Sequence, residues 1–267
     1  AFFLSLLALL TAADWWLSGQ QALLDTGLSF FLFMTLGLLF LFLKTKQKRY
    51  LCFSGITLAF AILAKGQPAA IIVFPLIYLI ASKKIKLQEL FILILSCSTV
   101  VAPWVILSCR KFGTNNFIQT FIFSFVTQRA TEADISQQAP FFWYIRWWID
   151  TFRPALNLFF LAVGLDLIYK KLNTFKITLL VYILFSLLLY SFAPNKVWWY
   201  VLPLIPAISL YLYFSYTDLL QKKILSLNQF SLIITISSLP LFYQAKNSIS
   251  LIYCLILLTF SFFIIIF

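Results

Sequence analysis

The sequence predicts an all-α protein, a polytopic bundle of transmembrane helices. Of its 267 residues, 63% are hydrophobic and only 10% are charged, a composition far outside that of soluble globular domains. The apolar residues form long unbroken runs, whereas a transmembrane β-barrel shows short segments of alternating polarity. Helices are therefore the elements expected to cross the membrane.

About ten apolar runs approach the length of about 20 helical residues that crosses a bilayer. Some of these runs are shorter because helix-breaking residues interrupt them. We find no soluble domain and no internal repeat, so the sequence predicts one transmembrane domain over residues 1–267. The predicted spans are 1–13, 26–43, 51–64, 68–82, 90–108, 154–169, 177–193, 199–216, 229–245 and 250–267.

Basic residues are concentrated in four of the loops between these spans. The threading places these four loops on one side of the membrane, which the positive-inside rule identifies as cytoplasmic. The net charge of +12 is thus explained by membrane orientation, and nucleic acid is not expected as a partner. The four clusters are Lys44, Lys46, Lys48 and Arg49; Lys83, Lys84 and Lys86; Lys170, Lys171 and Lys176; and Lys222 and Lys223.

The segment 51–82 has cytoplasmic basic clusters on both flanks, so it crosses the membrane twice. Gly66 and Pro68 supply the turn between the two arms. Each arm reaches only about 21 to 23 Å at the rise of an α-helix, less than the roughly 30 Å hydrocarbon core. Lys65, which precedes the turn, is therefore predicted to lie in a depression of the outer face.

The longest outer segment, 109–153, contains two interfacial features. Polar residues at every fourth position from Asn116 to Gln128, with Phe and Ile between them, predict an amphipathic helix in the interface. After Pro140 comes an aromatic belt expected at the headgroup level. The belt consists of Phe141, Phe142, Trp143, Tyr144, Trp147 and Trp148.

The residue types that are present limit the catalytic mechanisms open to this protein. Histidine is absent, so acid–base catalysis would use carboxylates, lysine or tyrosine. The four cysteines show no paired spacing, and no phosphate loop, nucleophile elbow or zinc motif is present. The sequence indicates no cofactor and does not identify a divalent metal site.

Isolated charges at the outer ends of apolar runs are the main functional signal. Asp25, Lys65 and Lys196 occupy such positions. An ionisable group within the membrane costs about 2.5 to 3.5 kcal/mol on insertion scales, so it usually lines a polar cavity. Simpler interpretations remain open: a helix-dipole contact for Asp25, snorkelling for Lys65 and an interfacial position for Lys196. A group of cations on the outer face would suit a lipid phosphate or pyrophosphate. The group consists of Lys65, Lys196, Arg129, Arg146 and Arg153.

A set of short strings between about residues 20 and 206 resembles a known family. In this order, the set resembles the membrane glycosyltransferases of the GT-C superfamily, in particular the aminoarabinose transferase and protein O-mannosyltransferase (dolichyl-phosphate-mannose-protein mannosyltransferase) group. The strings are 21–27 (QALLDTG), 63–66 (LAKG) with Pro75 downstream, 102–104 (APW), 110–113 (RKFG), the loop 121–129 leading to 138–144 (QAPFFWY), and 195–203 (NKVWWYVLP).

The resemblance implies a glycosyltransferase that takes a sugar from a polyprenyl-phosphate donor to a lipid or protein acceptor. The reaction would occur on the non-cytoplasmic side, in a bacterium the periplasmic face of the plasma membrane. The family's acidic residue in the first large outer loop would precede residue 1, so the chain is expected to be an N-terminally truncated fragment. Histidines usual near Arg129 are replaced, and a typical Lys-Leu-Pro becomes Lys196-Val197-Trp198.

The same resemblance assigns roles to individual residues. Asp25 matches an outer-face aspartate and is expected to be catalytic, organising the acceptor or the sugar hydroxyls. Lys65 and Lys196 match lysines expected to hold the donor phosphate. Arg129, Gln138 and Tyr144 are expected to bind substrate.

Two other classes of protein remain open. A transporter or flippase of lipid-linked sugars would also contain short broken helices, although it is expected to show them in two related halves. A purely structural membrane subunit would lose stability rather than activity when its outer cations are changed.

Overall fold

The computed structural model describes residues 24–124, 139–151, 153–193 and 196–222. Within these ranges the elements are helices and no strand occurs, which confirms the predicted all-α class. We number the α-helices in chain order from the first described one. They are α1 (Leu24–Thr45), α2 (Lys48–Lys65), a 3-10 helix (Gln67–Ile72), α3 (Val73–Ala81), α4 (Leu87–Phe112), α5 (Thr114–Ile118), a π-helix (Gln119–Ser124), α6 (Trp143–Thr151), α7 (Arg153–Ile168), α8 (Thr174–Phe192), a 3-10 helix (Trp198–Val201) and α9 (Leu204–Gln221).

Four segments in the described part of the chain are long and apolar enough to span a membrane. They are Leu24–Thr45, Leu87–Phe112, Thr174–Phe192 and Trp198–Gln221. Each overlaps a predicted span. Gln67–Ala81 and Leu156–Ile168 are shorter apolar helical segments, also at predicted positions. The predicted spans 1–13, 229–245 and 250–267 lie outside the described residues.

The chain divides into two compact units. Of the described residues, the first unit contains 24–124, 139–144, 178–193 and 196–207. The second contains 145–151, 153–177 and 208–222. The single domain over residues 1–267 stays a prediction.

In the first unit, α1 packs along α2, and α2 packs along α4. Hydroxyl groups join the first pair: the side-chain oxygens of Thr35 and Thr57 lie 2.9 Å apart, and Ser54 donates to the carbonyl of Thr35 at 3.2 Å. Gly55 permits the close approach of the second pair, because an added Cβ would lie 2.9 Å from Cβ of Ser96 and collide with the backbone of α4. Small and hydroxyl-bearing residues are common at helix contacts in membranes.

The predicted turn of the segment 51–82 is present at Gly66, whereas its two membrane crossings stay a prediction. α2 ends at Lys65, and Gly66 follows with φ 73° and ψ −121°, a conformation that side chains strongly disfavour. Pro68 lies in the first turn of the 3-10 helix, where its missing N–H costs little. The ammonium of Lys46 donates to the carbonyl of Lys84 at 3.2 Å, so the two flanks of the hairpin meet at one end.

The described part of the segment 109–153 is largely helical. Gly113, with φ 82°, separates α4 from α5, and the π-helix Gln119–Ser124 follows. Asn116 is exposed, as expected for the polar face of an interfacial helix. The rest of the predicted amphipathic helix, to residue 128, lies outside the described residues.

The second unit contains a buried charge network that the sequence did not predict. The sequence placed Lys176 in a basic loop, and that position is wrong: Lys176 lies in the first turn of α8 and is fully buried. Its ammonium lies 2.8 Å from a carboxylate oxygen of Asp166 and 2.9 Å from one of Asp218. The Tyr211 hydroxyl donates to the other oxygen of Asp166 at 2.9 Å. Helices α7, α8 and α9 are thus joined through ionic contacts.

Candidate functional site

An ion pair joins two of the predicted site residues, Asp25 and Lys65. Asp25 lies in the first turn of α1, and Lys65 is the last residue of α2. Their side chains form a salt bridge while only 7% and 12% exposed, respectively. The two helices approach closely at this end, since a Cβ added to Gly27 would lie 3.9 Å from Cβ of Ala64. The carboxylate also lies at the end of α1 that the helix dipole makes positive.

Tyr200 extends this ion pair into an aromatic surface. The Lys65 ammonium lies 5.3 Å from the centroid of the Tyr200 ring, within the range of a cation–π interaction. Tyr200 belongs to the 3-10 helix Trp198–Val201. Its ring centroid lies 5.8 Å from that of Tyr190 on α8. The Asp25 carboxylate, the Lys65 ammonium and the two phenol rings therefore follow one another in space within the first unit.

Tyr144 joins the same aromatic group and is fully buried. Its ring centroid lies 6.4 Å from that of Tyr190. The hydroxyl donates to the carbonyl of Val197 at 3.3 Å and accepts from the Val197 N–H at 3.2 Å. Burial raises the pKa of Tyr144 above its ordinary value of 10.0, so the phenol keeps its proton.

Tyr144 therefore differs from the aromatic belt to which the sequence assigned it. Phe141 and Phe142 of that belt are exposed, as expected for residues that face lipid headgroups. The hydrogen bonds of Tyr144 instead fix the turn that carries Val197 and, next to it, Lys196.

Lys196 lies close to this group in the chain but does not join the ion pair. It is 7% exposed, and its ammonium donates to the carbonyl of Ala193 at 2.7 Å. Burial lowers the pKa of Lys196 below its ordinary value of 10.5, because an ammonium is less stable away from water. Among the described residues, no ion pair joins Lys196 to Asp25. The structure links Lys196 to the site through Val197 and Tyr200.

The predicted site residues thus fall into three groups. Asp25 and Lys65 are in direct contact. Tyr144 and Lys196 lie in the same unit and are linked to that pair through Tyr200 and its neighbours. Arg129 and Gln138 lie outside the described residues.

Two tyrosines of this site were not singled out from the sequence. Tyr200 lies within the string 195–203 that carries part of the family resemblance, so it could have been found there. Tyr190 lies in an apolar run, where the signal is its four-residue spacing from Ser186 and Tyr182.

An apolar groove is lined by residues of α2 and α4. Its volume is about 370 Å³. One of its lining residues, Ile62, lies one helical turn before Lys65. Within the ranges that the structure describes, no group of three or more Cys, Asp or Glu residues is placed to hold a metal ion. The residues that line the groove are Ile62, Cys97, Ser98, Val101, Ala102, Val105 and Ile106.

Comparisons with known proteins support the fold. No protein-family model matches the sequence, and no curated protein matches it either. Among solved structures, the chain is similar to the crystal structure of ArnT from Cupriavidus metallidurans bound to undecaprenyl phosphate. The TM-score is 0.72 at 16% sequence identity, and the match covers 97% of this chain and 50% of the ArnT chain. The chain thus shares the polytopic membrane fold of that structure and spans about half its length.

Proposed function

We propose that this protein is an integral membrane glycosyltransferase that takes a sugar from a polyprenyl-phosphate donor. The sugar is passed to a lipid or protein acceptor on the non-cytoplasmic face of a bacterial plasma membrane. The observation that carries the proposal is the buried Asp25–Lys65 ion pair, which joins residues 40 positions apart beside Tyr200. The GT-C fold and the undecaprenyl phosphate bound to ArnT support the same class of donor.

The proposed chemistry uses the charge that develops on the leaving group. When the bond between sugar and polyprenyl phosphate breaks, negative charge accumulates on the phosphate oxygens. Cations placed in advance stabilise that charge more strongly than they stabilise the intact donor, and they lower the barrier. We assign this role to Lys65 and Lys196, and to Arg129 in the outer loop.

Asp25 is proposed to act on the sugar or on the acceptor. Its carboxylate would orient hydroxyl groups of either substrate or help to remove the proton of an acceptor hydroxyl. Its ion pair with Lys65 also holds that ammonium in one position. Gln138 and Tyr144 are proposed to line the substrate site, Tyr144 by ordering the turn that carries Lys196.

The apolar groove between α2 and α4 is a suitable place for the isoprenoid chain of the donor. Five of its seven lining residues are aliphatic, and one of them, Ile62, lies one helical turn from Lys65. A polyprenyl phosphate needs this combination, because its headgroup is anionic and its tail is hydrocarbon. A tail in the groove would place the phosphate near the end of α2.

Transfer of radiolabelled sugar by the whole protein in membranes tests the proposal. Asp25→Asn, Lys65→Ala and Lys196→Ala are each expected to lower the rate by about tenfold or more, since charge-assisted contacts contribute about 1.5 to 3 kcal/mol. Lys48→Ala is the matched control, because Lys48 is an exposed lysine at the opposite end of α2. It is expected to leave the rate unchanged.

Three results would contradict the proposal. The proposed site is wrong if the three site variants transfer sugar at the parental rate. Movement of lipid-linked sugar across proteoliposomes without a covalent product would favour a transporter. Loss of thermal stability in the variants with unaltered transfer would indicate a structural role.

A further inference from the structure

One face of α8 carries buried hydroxyl groups at regular intervals. Tyr182, Ser186 and Tyr190 follow one another every four residues, so they share a helix face. Their exposed fractions are 0%, 0% and 8%. Tyr182 donates to the carbonyl of Pro203 at 3.3 Å. For the hydroxyls of Ser186 and Tyr190, no hydrogen-bond partner is found in the part of the chain that the structure describes.

A third hydroxyl of this kind lies in the first turn of α1. The oxygen of the Thr26 side chain is buried, and it has no hydrogen-bond partner among the described residues. Thr26 follows Asp25 directly in the chain. Buried hydroxyls are rarely left without a partner, since the lost contact with water is not replaced. Each such group therefore points to a polar ligand or a bound water.

Tyr190, on α8, is connected to the ion pair through the ring of Tyr200. The ring centroid of its neighbour Tyr200 lies 5.3 Å from the Lys65 ammonium. The ring of Tyr190 lies between those of Tyr144 and Tyr200, with centroid distances of 6.4 and 5.8 Å. Of the hydroxyls that have no hydrogen-bond partner among the described residues, one thus follows Asp25 on α1, and one, on α8, lies beside the ring that contacts Lys65.

The chemical groups of this arrangement favour a sugar as the ligand. Neutral hydroxyls both donate and accept, so they pair well with the hydroxyls of a sugar ring. The phenol rings offer apolar faces to the C–H groups of the same ring. A phosphate at the Asp25 side would instead meet a like charge, while Lys65 offers it an opposite charge nearby. The sugar and the phosphate of one donor therefore suit different parts of the site.

We propose that the hydroxyls of Tyr190 and Thr26 bind the sugar ring of the lipid-linked donor and contribute to the choice of sugar. This inference rests on the proposed function, because it assumes a donor whose phosphate is held by Lys65. It assigns to Tyr190 and Thr26 a substrate contact that is separate from the phosphate contacts.

The test compares the binding of a lipid phosphate with that of the same lipid phosphate carrying a sugar. Binding of undecaprenyl phosphate and of its mannosyl, glucosyl and 4-amino-4-deoxyarabinosyl derivatives is measured with the whole protein in lipid nanodiscs. The sugar-bearing lipid that binds most tightly is then used for the variants. Tyr190→Phe and Thr26→Val each remove one hydroxyl and keep the shape of the side chain.

Each of the two variants is expected to weaken binding of the sugar-bearing lipid by about 3- to 10-fold, the effect of one neutral hydrogen bond. Binding of undecaprenyl phosphate is expected to stay unchanged, which also shows that the variants fold. Tyr182→Phe is the matched control: it removes a hydroxyl of the same helix face that is already bonded to a carbonyl. It is expected to leave the ratio of the two affinities unaltered.

The outcomes separate this inference from the proposed function. If the unaltered protein binds neither kind of lipid, the proposed function fails and the inference fails with it. If it binds both, and Tyr190→Phe and Thr26→Val weaken neither or weaken both equally, the inference alone is overturned. Selective loss of the sugar-bearing lipid supports both.

Discussion

Replacing Lys176 tests whether its buried charge network stabilises the second unit. Lys176 and Asp166 are both 0% exposed as side chains, whereas Asp218 is 29% exposed. Lys176→Met removes the ammonium and leaves the Asp166 carboxylate with the hydrogen bond from Tyr211. Removing one partner of a buried ion pair costs about 3 to 5 kcal/mol. The unfolding equilibrium constant should therefore rise by roughly two to three and a half orders of magnitude.

The assay is reversible unfolding of the detergent-solubilised protein, followed by tryptophan fluorescence. Lys170→Met is the matched control, because Lys170 is exposed in the loop between α7 and α8. It should change the free energy of unfolding by no more than about 0.5 kcal/mol. Combining Lys176→Met with Asp166→Leu should recover much of the loss, since no uncompensated buried charge then remains. Equal stability of Lys176→Met and Lys170→Met would refute the reasoning.

Three further substitutions test packing, hydrogen bonding and charge in the first unit. Gly55→Ala should lower the free energy of unfolding by about 1 to 3 kcal/mol, measured by thermal unfolding, because its methyl group meets the backbone of α4. Gly37 has open space around it, so the control Gly37→Ala should not destabilise the protein. Tyr144→Phe should lower the free energy of unfolding by about 1 to 3 kcal/mol, because it leaves the buried N–H of Val197 unpaired. Hydrogen exchange at that amide should become faster. Unchanged protection of the amide would contradict this prediction. Burial lowers the pKa of Lys196, so the unfolded state binds more protons between that lowered pKa and 10.5, and the free energy of unfolding should rise with pH across this window. Lys196→Met should remove that rise, and an identical pH profile for the two proteins would disprove the assignment.

The sequence determined the class of fold because that class depends on composition and on the lengths of apolar runs. A chain with 63% hydrophobic residues and long uninterrupted runs must satisfy its backbone hydrogen bonds within helices. The hairpin at Gly66 was also predictable. Its turn residues act locally, and the short arms follow from counting residues.

The sequence also identified Asp25 and Lys65 as unusual, because a charge at the end of an apolar run is costly wherever the fold places it. It did not identify them as partners. Their contact depends on how closely α1 packs against α2 near Gly27. No local sequence pattern encodes that packing distance.

Only the tertiary structure decided which side chains become buried. Lys176 looks like a loop lysine in sequence and Tyr144 like a member of an aromatic belt, yet both are fully buried. The apolar run around Tyr190 gives no sign that its hydroxyl is left without a partner among the described residues. Burial and hydrogen bonding are set by neighbours distant in the chain, so they emerge only when the helices pack together.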